Sequence, residues 1–166
     1  MENYICINGK KAELTEEQMK ALGIELPKAK SPFDRVGLSK AYSCITGTGK
    51  VTKTYDLDDV NDRECYKVGN YCTDASLLEQ RAVHETLNRL LWRYSMEHDG
   101  NIIDWNDLET AKYYIYYDSD KKETRIDFNY SCYKYGTIHF VTKYIAKAAI
   151  KEIVEPFLKE HPEFKF

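Results

Sequence analysis

The tetrapeptide YKVG at 66–69 returns as YKYG at 133–136, 67 residues further on, and the elements around the two copies come in the same order. Each copy follows a stretch patterned as two strands about a turn, AYSCITGTGKVTKTY (41–55) and KYYIYYDSDKKETRIDFNY (112–130). Each precedes a capped helix, with Thr73 and Thr142 at the starts, 69 residues apart. Four matching residues alone constrain little. The shared order of elements makes the chain a duplicated βββα unit, a route by which two small units obtain a common core. The expected fold class is therefore α+β: two βββα units at 31–100 and 101–166, each an antiparallel sheet covered by its helix.

Residues 1–30 read as an appendage. In YICINGKKAEL the pair Asn8-Gly9 signals a type I′ hairpin, because both turn positions need positive φ. Thr15 to Gln18 then has capping-box spacing, and Gly23 suits the left-handed position after a short helix at 16–22. The connector ELPKAKSPFDRVG carries Pro27, Pro32 and Gly37.

The longest helical pattern, ASLLEQRAVHETLNRLLWRYSMEH, starts at Thr73-Asp74 and closes at Asp99-Gly100. Leu77, Leu78, Ala82, Leu87, Leu90, Leu91 and Tyr94 recur at helical intervals, and Glu79, Arg81, Glu85 and Arg89 supply the wet side. Trp92 reads as a core anchor and Trp105 as a hinge anchor. In the second unit GTIHFV is a third strand, and Pro156 should kink or end the helix that follows Thr142. Two motif fragments fail. GTGK lacks the glycine and the Ser or Thr of a phosphate loop, since Cys44 and Val51 stand there; His84-Glu85 lacks the second histidine of a zinc protease, since Asn88 stands there.

Composition bounds the function. With 43% apolar, 31% charged and 13% aromatic residues, the 166-residue chain can bury a core and is not of disordered type. No apolar run has the length of a membrane span and MENYICINGK has no signal-peptide pattern, so a soluble cytoplasmic protein is expected. Five cysteines in no paired spacing fit a reducing compartment, and the four histidines fall at no ligand spacing, so neither metal nor cofactor is expected. A net charge of −3 excludes binding nucleic acid through overall positive charge.

Tyr113, Tyr114, Tyr116 and Tyr117 put rings on both sides of one strand, and both sets cannot share a core. The outer set either packs on the other unit or forms an exposed patch. Tyr114 and Tyr116 are taken as outward, with His139 and Arg125 beside them, and Arg125 and Asp127 can pair along the wet face. In YDLDDVNDRE the residues Asp56, Asp58, Asp59 and Asp62 form an acidic loop able to mimic phosphates before a basic channel. Asp118, Asp120 and Glu123 with Arg125 loosely suggest a metal nuclease, but the spacing fits no pattern and carboxylates at a turn are ordinary. Cys44 and Cys72 read as buried small hydrophobes.

The segments SPFDRV, YKVGNYCTD, DWNDLETAKYYIYYD, GTIHFVTKYIAKAAI and FLKEHPEF, in this order from about residue 32 to the end, resemble a group of small phage and prophage proteins of Gram-positive bacteria. INGKKAELTEEQMKALGI looks like the start of such proteins. The resemblance brings no catalytic motif. It implies an accessory protein made in the infected cell, among genes that often encode inhibitors of host defence, including anti-CRISPR proteins. The leading expectation is a non-enzymatic inhibitor that binds a host defence protein such as a CRISPR nuclease, through Tyr114, Tyr116, Arg125, His139 and the four aspartates. The alternatives are a nucleic-acid-binding protein stacking bases on the tyrosines, a nuclease or signal-nucleotide hydrolase, and a small-molecule sponge.

Overall fold

The computed structural model describes residues 4–7, 10–13, 18, 21–22, 31–98 and 100–164, within two compact units, Met1–Asp34 and Arg35–Phe166. In the first, β1 (Tyr4–Ile7) and β2 (Lys10–Glu13) pair antiparallel, with Ile7 opposite Lys10. That register suits a two-residue turn. The Asn8-Gly9 turn itself, and most of the helix expected at 16–22 with Gly23, lie outside the described residues.

The second unit contains both repeats. β3 (Ala41–Ile45) and β4 (Val51–Tyr55) form an antiparallel hairpin whose turn places Gly49 at φ 83°. Two helices follow, α1 (Val60–Lys67) and α2 (Ala75–Glu97), then a 3₁₀ turn at Gly100–Ile102. β5 (Lys112–Asp118), β6 (Glu123–Asn129) and β7 (His139–Phe140) make an antiparallel sheet in the order β6-β5-β7. The chain then winds through α3 (Lys143–Ala149), a π-helical turn (Ile150–Val154) and α4 (Glu155–Glu160).

The α+β class holds; the pairing is similar in the two copies, but in the first a helix, α1, which ends on Tyr66 and Lys67 of the repeated tetrapeptide, interrupts the expected βββα order. In the second copy β7 lies against β5 through Tyr113↔Phe140 and Tyr114↔His139. In the first, the third strand is reduced to a single antiparallel bridge, Ser43↔Cys72, closed by N–H···O bonds of 2.7 and 3.0 Å. β7 is itself shorter than the strand expected over GTIHFV. A turn closed by the Thr137 N–H on the Lys134 carbonyl takes up the preceding residues, with Gly136 at φ 75°.

α2, at 23 residues about 35 Å long, joins the two copies. Its first half buries Leu78 and Ala82 with Ile45 and Cys72; its second half buries Leu91 and Tyr94 with Phe140, Ala146, Ala149 and Val154. Leu77, on the same apolar pattern, is exposed. Each buried leucine, isoleucine, valine or phenylalanine among these contributes about 1.5–3 kcal/mol. Asp74 caps α2 by accepting the Ser76 N–H, and Thr142 caps α3 by accepting the Ile145 N–H. Pro156 does not end the last helix. The backbone widens before it, the Glu155 N–H reaching the Ile150 carbonyl five residues back, and a proline in the first turn of α4 needs no N–H of its own.

Candidate functional site

Alternation along β5 sorts the tyrosines. Tyr113 and Ile115, with Ile126 of β6 and Phe140 of β7, pack on the core formed with α2 and α3. The opposite face carries Tyr114 and Tyr116, and the register sets Asp127 and His139 beside Tyr114 and Arg125 beside Tyr116. The four sheet residues expected to meet a partner, Tyr114, Tyr116, Arg125 and His139, thus share the face turned away from that core.

Only two of the four are open. Tyr116 is 37% exposed, whereas Tyr114 and His139 are buried, at 9% and 5%. The expectation of bare rings at these two positions is corrected by what covers them. The Tyr114 hydroxyl donates to Asp127 Oδ2 at 3.0 Å; it also accepts from Lys134 Nζ, which stands 3.8 Å from the ring centroid. This leaves Asp127 engaged with the Phe128 N–H and then with the Tyr114 hydroxyl, rather than with Arg125, and these bonds hold its pKa below the usual carboxylate value. Arg125 instead meets Asp118 at 3.2 Å and Glu123 at 3.3 Å. Asp118 also accepts the Lys121 N–H, so its carboxylate organises the hairpin turn.

His139 sits under two rings, Trp105 perpendicular at 4.8 Å and Tyr133 nearly parallel at 5.9 Å. Ser95 of α2 donates its hydroxyl to the His139 carbonyl at 2.6 Å. Burial is the main cause of a lowered imidazole pKa, so the ring is neutral at pH 7, and its Nε2 is buried with no hydrogen-bond partner. Trp105, Tyr133 and His139 line a pocket of about 160 Å³ with Trp92, Ser95 and Met96.

These contacts join into a row of rings. Tyr116 to Tyr114 is 6.3 Å, Tyr114 to His139 5.9 Å, His139 to Tyr133 5.9 Å and Tyr133 to Tyr135 5.6 Å. The middle of the row is clamped and its ends are open. Tyr133 and Tyr135 are 56% and 94% exposed, and across the pocket Trp92 is 56% exposed rather than a core anchor. Sequence reasoning missed Tyr133 and Tyr135 although they belong to the YKYG repeat. The first copy has Tyr66 and Val68 at those positions, so its ring pair has no equivalent.

The acidic stretch is not a solvated loop. Asp59 caps α1 by accepting the Asp62 N–H at 2.9 Å, and Asp62 accepts the Asp59 N–H in return at 3.2 Å, a capping box. Asp62 is buried and also accepts the Tyr42 hydroxyl at 2.7 Å, the largest cause of its lowered pKa. Asp56 is 1% exposed and takes a two-pronged bond from Arg35, 2.8 Å at each oxygen, with the Tyr71 hydroxyl at 2.9 Å. Arg35 lowers the Asp56 pKa to about 2, and the two Asp partners raise that of Arg35. Asp56 and Asp62 are therefore structural acids turned inward, which removes them from any phosphate-mimicking surface; Asp58 and Asp59 remain exposed.

Among the described residues no group of three or more His, Cys, Asp and Glu side chains is arranged to hold a metal ion, and no helix is long and apolar enough to cross a membrane. In comparisons with known proteins, no family model, curated protein or solved structure matches the chain.

Proposed function

We propose that this protein acts by binding another protein through the aromatic row on the outer face of the β6-β5-β7 sheet, and that the partner is a host antiviral defence protein. The row itself carries the reading. Its inner rings are held by Asp127, Lys134 and Trp105, with Ser95 on the His139 backbone carbonyl, and its outer rings, Tyr133, Tyr135 and Tyr116, are at least partly open to solvent. Aromatic side chains already held in place bury much area on binding at little entropic cost, which is why tyrosine and tryptophan dominate the energetics of interfaces. The partner class comes from the resemblance to phage accessory proteins, with a CRISPR nuclease or its nucleic-acid channel as the specific target proposed.

The test is capture of a named defence nuclease, or its guide complex, from lysate of the natural host, by the native chain and by Tyr133→Ala/Tyr135→Ala. The variant should lose the nuclease; because Tyr133 also covers His139, its circular dichroism spectrum is compared with the native one, and Tyr135→Ala alone, at a ring 94% exposed, should show a smaller loss with the fold unchanged. Equal recovery by the double variant would defeat the reading. Exposed rings in a row also suit base stacking, and this favours a second reading in which single-stranded nucleic acid is the ligand. Filter binding at two salt concentrations separates the two, because only a nucleic-acid complex weakens with the slope that counterion release imposes.

A further inference from the structure

A second surface of the same sheet has a different chemistry. β6 is an edge strand, hydrogen-bonded to β5 alone. An open groove of about 400 Å³ lies beside it, lined by residues 123–126 of β6 and by Lys143, Lys147, Ile150, Lys151 and Glu155, so that three lysines and Arg125 outnumber its two carboxylates, Glu123 and Glu155. The three lysines stand four residues apart, so they recur about every 6 Å along one side of α3 and the π-helical turn. All three are exposed, and none has a carboxylate within ion-pair distance among the described residues. Like charges at this spacing destabilise a helix, and α3 has no acidic residue in its first turn to offset Lys143. A row of unpaired cations kept against local preference is the kind of inconsistency that marks a functional surface.

We propose that this groove is a docking site for an extended acidic segment of a partner protein, which adds as a strand to the free edge of β6 while its alternate carboxylates meet Lys143, Lys147 and Lys151. Two features select this occupant. An edge strand offers unpaired backbone N–H and C=O groups in a row, which another peptide main chain can satisfy and a sugar-phosphate backbone cannot. In an extended chain, side chains on one side repeat every ~6.7 Å, close to the lysine spacing, so carboxylates at alternate positions stay in step with the cations over three pairs. Ile126 and Ile150 add apolar surface to the lining. Lysines on an edge strand itself commonly deter aggregation; here they belong to the neighbouring helix, beside the edge. Charge also sets the preference over a second copy of this chain, whose β6 edge would bring its own lysine row against the first.

The probe is a fluorescently labelled, end-capped heptapeptide alternating Glu and Thr, titrated into the full chain and followed by anisotropy. Binding should weaken with salt. Three partly exposed ion pairs at a few tenths to one kcal/mol each make the Lys143→Glu/Lys147→Glu/Lys151→Glu variant bind about tenfold more weakly. Lys147→Glu alone, with a native circular dichroism spectrum, should show a smaller loss in the same direction, which keeps the test valid if the triple variant misfolds. Successive N–H groups of a strand point to opposite edges, so of two peptides with Pro at the central Thr or at the Glu before it, one lacks a ladder N–H and should not bind, and the native peptide should slow amide exchange within residues 123–126. Equal binding of both proline peptides, no loss on charge reversal, or preference for a single-stranded oligonucleotide of equal charge would each overturn the proposal. None of these outcomes involves the ring row, so failure here leaves the partner reading above to its own test.

Discussion

Asp56→Asn should destabilise the Arg35–Phe166 unit by about 3 kcal/mol, although the substitution preserves shape. Asp56 accepts from Arg35 Nε and Nη2 at 2.8 Å, from the Tyr71 hydroxyl at 2.9 Å and from the Asp58 N–H at 2.9 Å, while 1% exposed. An amide offers one oxygen and one N–H₂ group. Either orientation sets an amide N–H against a guanidinium N–H, so one charge-assisted bond is lost outright and the other becomes charged-to-neutral. Bonds to charged groups contribute about 1.5–3 kcal/mol and neutral ones about 0.5–1.5, and breaking a fully buried ion pair costs about 3–5. The Arg35 side chain keeps 29% exposure and a second carboxylate, Asp58, at 2.7 Å, which holds the cost at the lower end. For a unit of this size that is about 10 °C in Tm.

Urea unfolding followed by tryptophan fluorescence measures the loss in this unit, since Trp92 and Trp105 both lie in it. Asp58→Asn is the control: its carboxylate is exposed, and the change should stay within about 1 kcal/mol. The same pair sets an acid limb. The folded pKa of Asp56, about 2, lies below the ordinary value near 3.9, so its contribution is fully present above pH ~4 and is lost as pH falls toward 2. Asp62 shifts in the same direction, and Asp56→Asn should flatten the limb without abolishing it. A variant within about 0.5 kcal/mol of the native chain, or no steeper a loss than Asp58→Asn, would refute the inward reading of Asp56 and return the acidic stretch to the surface.

Gly100→Ala should cost about 2–3 kcal/mol by thermal denaturation, because a methyl there would lie 2.2 Å from Ser95 Oγ and 2.6 Å from the Ser95 carbonyl oxygen, and backbone cannot step aside. Tyr71→Phe removes a hydroxyl that donates to Asp56 and accepts the Val36 N–H at 3.0 Å; urea unfolding should show a loss of about 1–3 kcal/mol, and an unchanged midpoint would contradict the buried network. Arg125→Ala should change stability by less than about 1 kcal/mol, since both of its ion pairs are partly exposed, while weakening binding at the ring row beside Tyr116 and at the β6 groove. A loss above 2 kcal/mol in equilibrium unfolding would make Arg125 a structural clamp instead.

Strand periodicity made much of this arrangement legible. The alternation in KYYIYYD and ETRIDFN separated the two faces of the hairpin, and the copied order of elements predicted a third strand in each unit, which is only two residues long in β7 and a single bridge at Cys72. Burial on the outer face was not legible, because the cover on Tyr114 and His139 comes from Lys134, Tyr133 and Trp105, whose approach depends on how two loops fold back over the sheet. α1 was missed for a local reason. Its capping box, Asp59 and Asp62, is present in the sequence, yet Val60, Cys65 and Tyr66 give it too sparse an apolar side to stand out. The partners of Asp56 lie 21 and 15 residues away, at Arg35 and Tyr71, so no short window could show that this acid is a keystone and not part of a solvated run. The lysine row was visible as a spacing, but only the sheet order brings a free strand edge alongside it.

The two proposed surfaces follow from one property of the β6-β5-β7 sheet: helices cover only one of its faces. A sheet buried on both faces has nothing left to present except its rims. Here the core takes Tyr113, Ile115, Ile126 and Phe140, and the remaining face must be stabilised without a second layer of helices. It is stabilised by rings and charges locked to one another, Lys134 over Tyr114, Asp127 on its hydroxyl, Trp105 against His139, an arrangement that rigidifies the face while leaving its outermost rings wet. The same economy explains the edge. β5 is paired on both sides, β7 is only two residues long, and so β6 is the one extended strand of this sheet with a free side. The excess of tyrosine in β5 is therefore what a one-sided sheet requires on its inner face and what a binding surface can use on its outer one. Tyr133 still serves as cover for His139, but the ring of Tyr135, 94% exposed, answers to no packing demand, and it is the part of the turn that a binding function explains.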